Sequence, residues 1–587
     1  MARYSPHADP EVKRLRIAGG FWLAVAGIFL VRLFIIQVLE HSEYVRQAGV
    51  SHNISQTIKA KRGQIYTRDA RDGQQAVYPV ALNRDQMVLI SDNRKIVDGD
   101  RVAGIVATAA SLSSEDTDIL KQKLSQKSRA YQILLKDVKP EIADALTAEL
   151  SKQDIDGIYF DRVPARYYPE NELLGQVTGF MGKNSAGEAI GQYGIEGYFN
   201  VRLGGTNGYI KTERDPFGAW IPVADRDFTE SHDGDDVILT IDRTIQLQLC
   251  NALQKGILEY FARSATGIIE DPKTGRILAM CNVPNFDPNN YRDVVSASVY
   301  NNNAIFTAFE PGSVFKLVTM TAAMNTGAVS PDTTYVDAGF VKRDKFTIRN
   351  AGNKAWGKQT MASVIRESIN TGTVFAADAM GQDAFRKYVN EFGLGQKTGI
   401  ELKTEETGNI KSLSRPGSVY LATASFGQGL TTTPIQLLQV YATIANGGVM
   451  MKPTIVYAWN KDNGTTDYND PTTIRQVITK QTAAKATEMM RTVVEESHGH
   501  AAKVAGYTIV GKTGTAQIAG PGGKYTEEMN HTFIGYGPAN NPRFVMLIKY
   551  EAPKAVYAES TAVPTFGEVA KFLVEYLGIQ PDKPGFN

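Results

Sequence analysis

Ser313 and Lys316 stand three residues apart in Pro311-Gly312-Ser313-Val314-Phe315-Lys316, directly after a Pro-Gly break. Positions i and i+3 share one face of a helix. A helix that begins at or just before Ser313 therefore lets the serine hydroxyl and the lysine amine share a hydrogen bond. Burial lowers a lysine's pKa, and a neutral lysine is a base that can activate the serine as a nucleophile. The run over 317–324 is mostly apolar and free of Gly and Pro, as a buried helix requires. On its own, Ser-x-x-Lys is usually a solvated pair and identifies nothing.

Two further groups follow it. Ser368-Ile369-Asn370 lies where a helical segment runs into polar residues and then Gly372, and Lys512-Thr513-Gly514-Thr515 continues the β-branched run Tyr507-Thr508-Ile509-Val510, which reads as a strand. Ser-x-x-Lys, Ser-x-Asn and Lys-Thr-Gly, in that order, are the motif set of penicillin-recognising serine acyltransferases. The chain resembles a class B penicillin-binding protein of the division (septal) type. The likeness also covers Arg62-Gly63-Gln64-Ile65-Tyr66, Arg166-Tyr167-Tyr168-Pro169, Gly191-Gln192-Tyr193-Gly194-Ile195-Glu196 and Ser425-Phe426-Gly427-Gln428-Gly429, and runs almost to the C-terminus.

Lys-Thr-Gly occurs three times, at Lys273, Lys397 and Lys512. The first lies between strand-like runs 266–270 and 276–281 and reads as a hairpin turn. The second follows a glycine-rich helix exit and reads as a connector. Only Lys512 follows the other two motifs on a strand, and the small residues after it would let a substrate backbone approach. The stretch from Gly506 to Thr513 also spells the P-loop pattern G-x-x-x-x-G-K-[ST]. Its four x positions are strand-like, however, and Gly514, Gly520, Pro521, Gly522 and Gly523 oppose the helix that a P-loop needs next.

The resemblance implies the roles. Ser313 attacks the carbonyl of a D-Ala-D-Ala stem peptide and Lys316 is the general base. Ser368 and Asn370 relay protons and orient Lys316 and the substrate. Lys512, Thr513 and Thr515 hold the terminal carboxylate, on a strand that includes Gly514, and the backbone N–H groups of Ser313 and Thr515 form the oxyanion hole. An amine from a neighbouring stem peptide then resolves the acyl-enzyme, and β-lactams are covalent inhibitors. No metal or cofactor is implied. A β-lactamase would need a water-activating base, and the only E-x-x-x-N in the relevant interval, Glu405 to Asn409, contains Gly408 in a turn-like stretch. A catalytically silent scaffold or sensor is the other rival, opposed by the intact motifs. Ser-x-Asn resembles the division type, whereas elongation enzymes more often show Ser-x-Asp.

The elements that must position these residues extend over 587 residues, enough for two or three domains. The formal net charge is +1 with charges interspersed, so no basic stripe marks a nucleic-acid binder. Lys13, Arg14 and Arg16 precede an apolar stretch over 17–39, long enough to cross a bilayer and not followed by a small-residue cleavage site. Basic bias places residues 1–16 in the cytoplasm and the rest outside. Arg32 within the stretch is expected to snorkel. Residues 40–225 mix short strands such as 86–91 with amphipathic segments such as 139–150, and the resemblance makes them a non-catalytic, dimerisation-type pedestal. Residues 233–577 are the expected transpeptidase domain, before a tail at 578–587. The layout is α+β: a helix over 243–261, an early hairpin, helices at 433–445 and 481–495, then paired strands at 532–536 and 544–550. The resemblance adds a serine β-lactamase-like antiparallel sheet covered by helices, with the site at its edge. It also implies a bacterial plasma-membrane location, an extracytoplasmic catalytic domain, and a polytopic peptidoglycan glycosyltransferase and divisome proteins as partners. Cys250 and Cys281 read as two reduced buried thiols rather than a disulfide, although an extracytoplasmic location would permit one, and His498 with His500 reads as a loop.

Overall fold

The computed structural model describes residues 10–44, 53–71, 76–213, 227–520 and 524–583. The start of the tail (1–9), the end of the expected pedestal (214–226), Pro521 to Gly523 and residues 584–587 lie outside the described residues. The chain forms two compact units, 1–61 with 205–233 and 62–204 with 234–587. In the first, a helix over Pro10–Phe34 continues as a π-turn over Ile35–Leu39. Its apolar stretch Lys13–Leu39 is not buried by protein, and Phe21, Trp22 and Leu30 are exposed along it. Lipid is the solvent that suits such a surface, and this is a membrane-spanning helix. The unit also holds an antiparallel sheet of Asn53–Ile58, Gly208–Glu213 and Asp227–Thr229.

In the second unit the long strand Val77–Ser91 pairs with Ile158–Tyr167, and helices Gly99–Ala110, Ser114–Leu124 and Pro140–Lys152 close a small core around Leu89, Val106, Leu120 and Leu146. The expected strand at 86–91 and amphipathic segment at 139–150 are both present. Three of the family-like stretches then converge on one buried carboxylate. Glu196 Oε2 accepts from Arg62 Nε at 2.7 Å, and Oε1 accepts from Arg166 Nε at 2.7 Å and Tyr168 Oη at 3.3 Å. Ile65–Arg68 pairs in parallel with Asp236–Asp242, which pairs in turn with Val456–Asn460, so a single sheet continues into the C-terminal part of the unit.

That part begins with helix α1 (Arg243–Tyr260) and the hairpin β1 (Ser264–Asp271) and β2 (Arg276–Val283). Helices α2 (Lys316–Asn325), α3 (Met361–Arg366), α4 (Asn370–Met380), α5 (Pro434–Ala445) and α6 (Lys480–Glu496) follow. Strands β3 (Val510–Ala519), β4 (Tyr525–Gly537) and β5 (Phe544–Glu551) and helix α7 (Ala562–Tyr576) complete it. The sheet is antiparallel with order β2-β1-β5-β4-β3, leaving β3 at an edge. Strand side chains alternate between faces, and both faces here are buried, so the strands read as nearly continuous apolar runs. On β5, Val545 and Leu547 pack with Leu438 and Tyr441 of α5, while Phe544, Met546 and Ile548 pack with Leu249 of α1 and Phe566 of α7. The expected α+β fold is the observed one.

Lys273 sits in the β1–β2 turn, where Gly275 has φ +72°. The Lys397 segment is a connector: Glu405 Oε1 accepts from the backbone N–H and the hydroxyl of Thr398, both at 2.6 Å. The strand at Lys512 is followed by a hairpin, not a helix, which removes the P-loop reading. One expectation is wrong. Cys250 and Cys281 are not free thiols but a disulfide with Cα atoms 5.6 Å apart. Cys250 on α1 packs over Cys281 on β2 within one apolar core, which brings the two sulfurs together.

Candidate active site

Ser313 lies in a 3-10 turn, Gly312–Phe315, that leads directly into α2, whose first residue is Lys316. Backbone contacts too close for side chains fix this turn. Gly312 has φ +59° and its N–H donates to Gly427 O at 3.0 Å, and a Cβ on Gly427 would come within 2.3 Å of Gly312 O. Tyr441 Oη donates to Val314 O at 2.8 Å from the core side. Gly514 closes the arrangement, since a Cβ there would meet Val314 Cγ1 at 3.0 Å and Pro311 O at 3.2 Å. Gly514 thus makes room for the serine turn, where the sequence had suggested room for substrate.

Both lysines are completely buried. Lys316 Nζ donates to the carbonyl of Ser368 and, at 3.2 Å, to its hydroxyl. Lys512 Nζ donates to the same hydroxyl at 3.0 Å and to the carbonyl and hydroxyl of Thr513 at 3.1 and 3.3 Å. The hydrogen bonds of Lys316 thus go to Ser368, not to Ser313 as the i, i+3 spacing suggested. A buried ammonium needs several acceptors, and Ser368 offers two. It does so from a left-handed backbone, φ +55°, between α3 and α4, a conformation that costs a non-glycine residue about 1–3 kcal/mol. Ser368 Oγ can accept from both amines and still donate its own proton. All these acceptors are neutral. Burial, and then the charge of Lys512, holds Lys316 well below the usual lysine range. Burial brings Lys512 down to about 7.

Above the lysines opens a cleft of about 490 Å³ lined by Ser313, Ser368, Asn370, Thr513 and Thr515, with Trp356, Phe426 and Tyr557 as its aromatic walls. The nucleophile candidate thus shares this cleft with Thr513 and Thr515 of the edge strand β3. Asn370 lines the cleft, but its amide donates to Arg349 O at 2.9 Å and has no hydrogen bond to either lysine.

The penicillin binding protein transpeptidase domain model matches residues 265–571, and the penicillin-binding protein dimerisation domain model matches residues 57–239. The chain belongs to the penicillin-binding protein transpeptidase family. It is a class B member of the division type. Stage V sporulation protein D of Bacillus subtilis (strain 168) is 30% identical over 97% of this chain and 87% of its own length. Peptidoglycan D,D-transpeptidase FtsI of Escherichia coli (strain K12) is 27% identical over 99% of this chain and 94% of its own. Among solved structures, penicillin binding protein 3 from Mycobacterium tuberculosis complexed with aztreonam aligns with a TM-score of 0.67 at 25% identity, covering 90% of this chain and 99% of that one.

Gln428, inside the family-like stretch Ser425-Phe426-Gly427-Gln428-Gly429, lines the cleft of this penicillin-binding protein. His498 and Glu559, which pair at 2.9 Å, line it too and belong to no motif. His498 was expected in a loop and lies in one, yet only the fold places Glu559, 61 residues away, beside it. Glu405, the rival hydrolytic base, holds the Thr398 connector and does not line the cleft. Among the described residues, no group of three or more His, Cys, Asp or Glu side chains could hold a metal.

Proposed function

We propose that Ser313 is the acylated nucleophile of a peptidoglycan D,D-transpeptidase, with Lys316 as its base and Ser368 as the proton bridge. The observation that carries the reading is the pair of buried lysines on one serine hydroxyl with no carboxylate to hold their protons. A neutral Lys316 takes the Ser313 proton, directly as the side chains close on a substrate or through Ser368, and the serine attacks the penultimate D-Ala carbonyl. Thr513, Thr515 and Lys512 receive the terminal carboxylate. Backbone N–H groups of Ser313 and Thr515 serve as the oxyanion donors, each worth about 2.7–4 kcal/mol in a measured hydrolase. Asn370, from the cleft wall, orients the substrate peptide. Penicillin is captured by the same attack and stays bound because Glu405, the rival water-activating base, lies outside the cleft.

By family membership the enzyme acts in septal wall synthesis. Residues 17–39 anchor it in the plasma membrane, 40–225 form the pedestal and 233–577 form the outward-facing transpeptidase domain. A polytopic glycosyltransferase and divisome proteins are its partners. The decisive experiment is intact-mass analysis with peptide mapping after incubation with penicillin. A stable adduct on Ser313 is expected, and Ser313→Ala should lose it with an unchanged melting temperature. An adduct on the Ser313→Ala protein, or rapid loss of penicillin without an adduct, would overturn the assignment.

A further inference from the structure

The second half of the reaction needs a group that the three motifs do not supply, one that takes the proton of the incoming ammonium. The amine expelled on acylation leaves from beside Thr513 and Thr515, and by microscopic reversibility the acceptor amine enters where that amine left. Among the residues that line the same cleft are His498 and Glu559. Glu559 follows Ala558, whose N–H donates to Thr515 Oγ1 at 3.3 Å, so a single residue step ties the carboxylate to the threonine. Glu559 Oε2 lies 2.9 Å from His498 Nδ1. The histidine comes from a tight turn directly after α6, where Gly499 N–H donates to Val493 O at 3.0 Å and a Cβ on Gly499 would lie 3.0 Å from Val494 Cα. Side-chain exposures of 45% and 43% leave the pair open to an incoming molecule. A carboxylate on Nδ1 fixes the tautomer that carries its proton there and frees Nε2 as an acceptor. Among the described residues, no hydrogen bond occupies Nε2.

We propose that His498, oriented by Glu559, accepts the proton of the acceptor ammonium during transfer, an assignment that rests on the transpeptidase reading above. One N–H proton of the ammonium passes to His498 Nε2. The freed amine attacks the acyl carbonyl carbon, the C–N bond forms and the bond to Ser313 Oγ breaks. The second amine proton passes through Lys316 and Ser368 to Oγ, and His498 returns its proton to solvent.

The test uses the full chain in detergent micelles, a D-alanyl thioester as donor and D-alanine as the amine acceptor, and reads the ratio of amide product to hydrolysed acid. In His498→Gln that ratio should fall by about a hundredfold, the low end for loss of a general base, and in Glu559→Gln it should also fall. Penicillin capture on Ser313 should remain close to that of the parent protein. Added imidazole should restore amide formation in His498→Gly but not in His498→Gln, a rescue that a merely structural contact would not give. Slowed penicillin capture in His498→Gln would make the histidine part of the carboxylate site, and an unchanged ratio would make the pair a tie between two loops. Either result overturns the proposal. Failure of the parent protein to capture penicillin would instead refute the transpeptidase reading beneath it.

Discussion

Arg62 and Arg166 meet the carboxylate of Glu196 in one buried cluster, whereas Lys316 and Lys512 meet the hydroxyl of Ser368 in another. In each, two cations share one side chain. Guanidinium groups do not lose their protons in proteins, so the first cluster has to be compensated, and Glu196, fully buried, supplies a charge for both arginines. Ammonium groups can lose theirs, and the second cluster contains only neutral acceptors. Burial lowers both lysines there, and the charge of Lys512 lowers Lys316 further. A cation beside a carboxylate keeps its charge, and a buried lysine with only neutral acceptors is pushed towards its neutral form.

Removing the proposed base should give the largest effect. Lys316→Met keeps the volume of the side chain and deletes the amine. Acylation by penicillin should fall by about 10²–10⁴-fold, the usual contribution of general-base catalysis. Stopped-flow capture kinetics measure the rate and a melting curve the stability, which should hold or rise. A protein that unfolds on this change, as it would if Lys316 served structure, breaks the comparison.

Glu196→Gln tests the other cluster. It leaves Arg62 and Arg166 buried without a counter-charge, and breaking such a pair costs about 3–5 kcal/mol. Chemical denaturation should show that loss, while the folded fraction captures penicillin at the parent rate. Slowed capture in protein that is still folded would mean that this cluster feeds the active site.

The two clusters also differ in how far the sequence reveals them. Ser313 with Lys316 and Ser368 with Asn370 are short-range patterns. The chemistry of Lys512 could be separated from Lys273 and Lys397 because a strand, a hairpin turn and a helix exit leave different local signatures. The α+β order and most helix and strand positions follow from the same local patterns. Long-range pairing does not. Arg62 and Arg166 stand 134 and 30 residues from Glu196, and nothing in their own neighbourhoods announces the meeting. Cys250 and Cys281, 31 residues apart in apolar runs, look like ordinary core thiols until α1 is laid over β2. The partnership of Lys316 with Ser368 was implied by the resemblance and not by local spacing, because the left-handed turn at Ser368 depends on how α3 and α4 pack, and Gly372, which seemed to end a helix, lies inside α4. A Cβ there would sit 2.2 Å from Val364 Cγ2, so that glycine marks a helix contact.

The smallest effect separates the clusters by titration. Lys512 has a folded-state pKa near 7, against 10.5 for a free lysine, so between these values the unfolded chain binds more protons than the folded one. Stability should therefore rise with pH across that window, by at most about 1.4 kcal/mol per pH unit for each proton, and the penalty should be fully present below pH 7. Lys316, also lowered, adds to the same slope. Lys512→Met should flatten the slope and stabilise the protein most at neutral pH, and denaturant midpoints measured from pH 7 to 10 would show both effects. Glu196→Gln should leave the slope in place and shift the whole curve downward. A parent protein whose stability does not change over this range would place both lysines in the protonated state, and the contrast between a compensated and an uncompensated cluster would fail where it matters for catalysis.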